Sequence, residues 1–475
     1  MISLNKTFKY TFISIVVAEI LSLLGYLYPT VGQVCFLIIL LLALILSLKK
    51  LEYGLYILLA ELFIGSKGYL FFANISHARI SIRIALFTII FLVWIFQRIK
   101  KDEIIILKNK IARVFLIFGV YLIIGFLVGI KNNGLGNAFF DFNAWIFFAA
   151  AFIFFDTIDS KEVIKNVVQI LLAASTWLSL KTIGILISFS RGLDWIGGPF
   201  YKWIRDTGVG EVTHVSGTVF RIFIQSQLYV MIGFLIALAF VIYQKKLSRK
   251  EICFSAIYLY LTSLTILISQ SRSFWVGGVC GLGILFILAR WQLNLKIKKT
   301  ALLAVLLIAM VISETFVINV LTANYSGNLI ASRFENLEKE AAGLSRINQL
   351  QPLKENIFQQ MIFGYGFGKT LTYQSNDPRI LQTHPGGIYT TYAFEWGYLD
   401  IWLKIGLVGL LLYLFLIYEI IKFSLKNFKE NPALTAGLLA GLIFILITNI
   451  FSPYLNHPLG IGYLMLMSAI TMVKS

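Results

Sequence analysis

The chain has 475 residues and a formal net charge of +18, with 58% hydrophobic but only 13% charged residues. Its mean hydropathy is +0.82. A soluble domain carries about 25% charged residues, so this composition excludes a soluble globular protein, and the positive charge is assigned to loop lysines rather than to a nucleic-acid surface.

The apolar residues come in runs of about 20, the length of helix that crosses ~30 Å of hydrocarbon. About fourteen spans, with twelve to fourteen as the working range, are predicted near 11–28, 31–48, 51–65, 82–97, 112–130, 138–156, 163–188, 216–243, 252–270, 273–291, 301–320, 397–420, 433–452 and 458–473. The first can serve as an uncleaved signal-anchor. The pattern predicts an all-α, polytopic transmembrane bundle with one long extracytoplasmic loop that carries short helices. It divides into N-terminal helices 1–188, central helices 189–320, the loop 321–396 and C-terminal helices 397–475. Cys35, Cys253 and Cys280 fall in or beside apolar runs and read as small hydrophobes, not as a disulfide set.

Lysine and arginine set the expected orientation. Basic clusters at Lys49–Lys50, 98–113, 245–250, 290–299 and 422–429 mark alternate loops as cytoplasmic. Both termini then face the cytoplasm. The loops near 66–81, 131–137, 189–215, 271, 321–396 and 453–457 face outward.

Against that rule three arginines stand out on the outward side: Arg221 in "GTVFRIFIQSQ", Arg272 between Ser271 and Ser273 in "SQSRSFWVGG", and Arg346 in "GLSRINQLQPL". A charge at membrane depth costs about 2.5–3.5 kcal/mol on insertion scales. Headgroup snorkelling or pairing with Glu314 or Asp141 would account for Arg221 and Arg272. Converging on an anion is the sharper reading. A guanidinium fork donates two parallel hydrogen bonds to phosphate, and two or three of them suit a lipid diphosphate.

The loop 321–396 has helical character over "RFENLEKEAAGLSRINQLQPLKENIFQQM" and then the turn "GYGFGK". That turn lacks the spacing and preceding strand of a phosphate loop. Its glycines are expected to turn the backbone back toward the membrane. Polar residues inside the spans, among them Asp141, Lys181, Glu314 and Lys404, are expected to face protein or water. Lys404 either sees the phosphates or pairs with Asp400 four residues earlier. His77, His214, His384 and His457 show no metal spacing, so no metal and no cofactor are expected. The outward aromatics Trp195, Tyr201, Trp203, Tyr389, Tyr392 and Trp396 read chiefly as an interfacial belt.

The stretch "YLDIWLKIGLVG" (398–409) resembles the signature of the O-antigen ligase and polymerase superfamily of bacterial membrane glycosyltransferases. The family frame of a His, a polar residue, nine residues and a glycine followed by a small residue falls on Glu395, Trp396, Gly406 and Gly409, with Glu395 replacing the usual His. "SQSRSFWVGG" resembles the family's Ser-Arg-Ser corner, "FRIFIQSQ" carries the other membrane arginine, and "SRINQLQPLKENIFQQMIFGYGFG" is similar to its loop helix. The resemblance spans about residues 210 to 450 and implies a GT-C-like fold. It also implies transfer of a glycan from undecaprenyl diphosphate to an acceptor hydroxyl, in the lipid bilayer, on the outer face of the bacterial cytoplasmic membrane. Arg221, Arg272 and Arg346 then hold the diphosphate. Glu395, or failing it His384, orients or deprotonates the acceptor. Ser271, Ser273, Lys404 and Tyr398 support them.

The missing His favours a polymerase of lipid-linked repeat units for surface polysaccharide. A ligase acting on lipid A-core, a wall polymer or a protein is the alternative, and a lipid-linked oligosaccharide flippase is a third reading. Flippase and chain-length regulator proteins are the partners such a system implies.

Overall fold

The computed structural model describes residues 5–75, 78–101, 109–193, 198–207, 210–244, 246–294, 297–323 and 341–473. The N-terminal third comprises α1 (Lys6–Leu27), α2 (Pro29–Lys49), α3 (Leu51–Ile64), a hairpin of β1 (Phe72–Ile75) and β2 (Ala78–Ser81), α4 (Ile82–Lys101), α5 (Lys110–Asn133), α6 (Leu135–Ile146), α7 (Ala151–Thr157) and α8 (Lys161–Ser190). Then come α9 (Pro199–Asp206), a second hairpin of β3 (Glu211–Ser216) and β4 (Val219–Phe223), α10 (Gln227–Tyr243), α11 (Arg249–Ser269), α12 (Arg272–Leu293) and α13 (Ile297–Thr322). The last part holds α14 (Ala341–Gln359), β5 (Leu371–Gln374), α15 (Pro378–Thr383), β6 (Ile388–Thr391), α16 (Gly397–Lys426), α17 (Pro432–Phe451) and α18 (Pro458–Met472).

Among the described residues eleven helices are long and apolar enough to cross a membrane, with α10 and α18 as shorter apolar helices. Together with α3 they give a helix at each predicted span. The helix starts follow their sequences. Asn5, Asn109, Ser160 and Asn431 accept a hydrogen bond from an amide of the first turn, and Ser248 with Glu251 forms a capping box.

One predicted boundary needs correction. The eighth span does not begin at 216: residues 211–223 form the β3–β4 hairpin and the helix starts at Gln227. Arg221 therefore sits on a strand, opposite Thr213. The β-branched and aromatic residues of "EVTHVSGTVFRIF" alternate around Gly217 at φ 56°, a strand pattern that merges by hydropathy into the apolar helix behind it.

Helices α8, α10, α17 and α18 form the buried centre, whereas α1, α2 and α13 turn most of their apolar surface outward. The α12–α17 seam depends on small residues, as membrane helix contacts do. A Cβ on Gly277 would lie 2.8 Å from the Phe444 carbonyl, and one on Gly281 would lie 2.9 Å from that of Ala440. Two buried pairs stand out among the described residues: Lys181 with Glu19 at 2.6 Å, and Arg83 with Glu61 at 2.8 Å. Such pairing is what keeps a charge tolerable in hydrocarbon.

Helix α16 is broken at Gly406, where φ is 68° and ψ −179°. The break releases backbone groups that lipid cannot satisfy. The segment 361–366 fills the gap. Tyr365 N donates to Leu403 O (3.0 Å) and Gly366 N to Lys404 O (2.9 Å), while Leu407 N donates to Met361 O (2.9 Å) and Val408 N to Ile362 O (3.2 Å). The Tyr121 hydroxyl bonds Ile405 O at 3.1 Å. "GYGFG" is thus a re-entrant strap wedged between α5 and α16. Gly366 has φ 78°, and a Cβ there would collide with the backbone of Gly129 on α5.

Candidate active site

The β3–β4 hairpin, the α11–α12 corner, α14, the start of α16 and the turn 452–457 meet on one face of the bundle. The corner is built by its serines. Gln270 adopts a left-handed conformation at φ 45°, which reverses the chain so that α12 starts at Arg272. Ser269 Oγ donates to Ile266 O (2.6 Å), Ser271 N donates to Ser269 Oγ (3.3 Å), and the Ser271 and Ser273 hydroxyls are 3.2 Å apart. Arg272, half-buried, therefore stands on the first residue of a membrane helix. Arg221 reaches the same corner. Its Nε donates to Ser269 O at 3.0 Å, and its guanidinium lies 4.8 Å from the Phe223 ring centroid.

Arg346 and Glu395 face each other as a salt bridge and are both about 40% exposed. The first turns of α14 hold this pair. Trp396 Nε1 donates to Arg346 O at 2.8 Å and Glu395 N donates to Gln349 Oε1 at 3.1 Å. Below them Leu353, Ile357, Leu371, Phe394 and Leu403 form a small core that fixes α14 on the start of α16.

His384 lies exposed in the α15–β6 turn, with Nδ1 2.9 Å from the Thr383 hydroxyl and its ring edge-on to Tyr389 at 5.7 Å. Tyr389 in turn meets Tyr373 at 6.1 Å. Burial pushes the Tyr373 phenol up, and the Glu395 charge adds to the shift. Two tyrosine rings therefore stand between His384 and Glu395.

Tyr454 joins the arginine positions. Its ring packs 5.8 Å from Phe274, which lies 5.7 Å from Phe223 beneath Arg221. From the other side Trp396, which bonds Arg346, packs at a tilt 5.9 Å from Phe451 at the end of α17. Burial raises the Tyr454 phenol pKa, while the Arg221 and Arg346 charges both pull it down. Sequence reading missed Tyr454, because a tyrosine in "SPYLNHP" is indistinguishable from an interfacial aromatic.

Deeper in, Lys404 Nζ sits 2.6 Å from both Asp141 Oδ1 on α6 and Asp400 Oδ1, one turn earlier on α16. Asp141 Oδ2 also accepts from Gly368 N at 2.7 Å, and Asp400 Oδ2 accepts from Asn456. The cluster pins the strap, α6, α16 and the 452–457 turn together. Tyr398 donates to Leu446 O at 2.9 Å and ties α16 to α17. Glu314, on α13, accepts from the Ser263 hydroxyl. His214 bonds Gly217 O at 2.8 Å within its own hairpin. His77 and Trp195 lie outside the described residues.

Residues 257–414 match a family model described as O-antigen ligase. The match covers about a third of the chain and supports the O-antigen ligase/polymerase superfamily; the apolar helices beside it indicate a multi-pass membrane protein. The O-antigen ligase segment runs from α11 into α16, so it holds the Arg272 corner, Arg346, His384, Glu395 and the Gly406 break. Arg221 and Tyr454 lie outside it. No curated protein matches the chain.

Proposed function

We propose that this protein is a glycosyltransferase of the bacterial cytoplasmic membrane that polymerises undecaprenyl-diphosphate-linked oligosaccharide repeat units on the outer face, with both termini in the cytoplasm. The observation that supports it is the gathering of Arg221, the Arg272 corner and the Arg346–Glu395 pair around Tyr454 at one end of the bundle. Residues 189–320 supply the first two arginines, the loop 321–396 supplies Arg346 and Glu395, and the N-terminal helices hold the strap.

In the reaction the acceptor hydroxyl attacks the anomeric carbon of the donor sugar. A new C–O bond forms, the bond to the diphosphate breaks, and undecaprenyl diphosphate leaves with the electron pair. The arginines offset the charge that develops on the leaving group. Arg346 can exchange Glu395 for a phosphate oxygen, which frees the carboxylate to take the acceptor proton. Such an exchange couples donor binding to activation of the acceptor. The description of the matched family favours a second reading, a ligase that moves the glycan to a different acceptor.

The test uses purified protein in lipid with the lipid-linked repeat unit and no nucleotide. A ladder of longer lipid-linked glycans with release of undecaprenyl diphosphate is the expected result. No ladder from a verified repeat unit excludes the polymerase reading, and transfer that appears only with a separate acceptor selects the ligase. In the same assay Glu395→Gln is expected to lower the rate by about 10²–10⁴-fold, the range for a lost general base, and His384→Ala by far less. The reverse order would move the base to His384.

A further inference from the structure

Tyr454 is 6% exposed and its hydroxyl makes no hydrogen bond to another described residue. Its backbone is nevertheless among the most firmly held on this face. Leu455 N donates to Asn449 Oδ1 (2.8 Å), the Tyr413 hydroxyl donates to Leu455 O (2.7 Å), and His457 N donates to Tyr454 O (3.1 Å). Asn456 adds a bond to Asp400. The fold therefore fixes a buried aromatic stem and leaves its polar tip unspent, two aromatic contacts from the ring under Arg221 and on the face that carries Arg346. A neutral O–H among cations suits an anionic acceptor with several oxygens. It adds a directed hydrogen bond without adding charge repulsion.

We propose that the Tyr454 hydroxyl is a hydrogen-bond donor to the diphosphate of the lipid-linked substrate, beside Arg221 and Arg346. This assignment rests on the donor class given above. The experiment measures binding of sugar-free undecaprenyl diphosphate, and separately of inorganic diphosphate, to the full chain in lipid nanodiscs. Tyr454→Phe is expected to weaken undecaprenyl diphosphate binding about tenfold, as for a lost hydrogen bond to a charged group. The KM for the lipid-linked donor rises by the same factor while kcat changes little, and the unfolding midpoint stays put. Inorganic diphosphate is expected to show the same ratio at lower affinity; a loss confined to the lipid form would place the effect on contacts with the prenyl chain rather than the diphosphate and overturn the hydroxyl role.

Should Tyr454→Phe not fold, a difluorotyrosine at position 454 keeps the shape. Its more acidic phenol is expected to lose affinity as pH rises and the donor proton departs, and pH-independent affinity there overturns the proposal. Unchanged affinity in Tyr454→Phe overturns the Tyr454 role alone. A wild-type protein that does not bind undecaprenyl diphosphate brings down the donor class as well.

Discussion

Arg272→Ala is expected to remove most glycan transfer while the protein still inserts and folds. The side chain stands at the start of α12, at a corner where Ser269 and Ser271 bond the backbone and Gln270 turns it. What holds α12 in place also lies elsewhere: Gly277 and Gly281 in the seam with α17, Phe274 in its aromatic contacts, and Thr448 donating to Ser273 O at 3.3 Å. In the proposed reaction the loss is then expected to fall on charge compensation at the leaving diphosphate. Removing one preorganised donor from a developing anion costs about 10²–10³-fold in rate. Arg272→Lys should recover part of it, because an ammonium keeps the charge but not the planar fork. The rate of undecaprenyl diphosphate release and the unfolding midpoint of the same detergent sample decide the matter. Full activity in Arg272→Ala would remove the arginine from the mechanism.

Lys404→Met acts by a different route. It leaves Asp400, a buried residue, and Asp141, whose side chain is only 7% exposed, without the cation 2.6 Å from each. Breaking a buried ion pair from one side costs about 3–5 kcal/mol, because the abandoned charge stays where water cannot reach it. The expected result is a large fall in folded membrane protein and in unfolding midpoint, before any question of activity. Adding Asp400→Asn should restore part of the loss, since one of the two abandoned carboxylates is then gone. A Lys404→Met protein as stable as wild type would show that the cluster is hydrated or already neutral.

These two residues also show what the sequence could and could not reveal. Arg272 is legible because a basic residue on the outward side breaks the charge rule that governs the other loops. The Lys404–Asp400 pair is legible from its i,i+4 spacing, whereas Asp141 is 263 residues away from Lys404 and joins it only through the packing of α6 on α16. The spans themselves are legible because lipid demands long apolar runs. The β3–β4 hairpin is not, because hydropathy cannot see where a strand of alternating aromatics gives way to a helix. The glycines of "GYGFGK" announce a turn, yet nothing local says that they pass through a broken helix beside Gly129. Tyr454 gains its meaning only once the α17–α18 turn folds back over Phe274.

The re-entrant strap also limits how the site can move. Four backbone hydrogen bonds join residues 361–366 to the two halves of α16, at a depth where an unmet amide costs several kcal/mol. A lid that swung the whole excursion between α13 and α16 clear of the bundle would break all of them at once. Substrate entry must therefore leave that end moored. A change of partners at the Arg346–Glu395 pair needs none of those bonds to break. So small a stroke suits the lipid-linked donor proposed above, which would arrive sideways through the bilayer and need no enclosure.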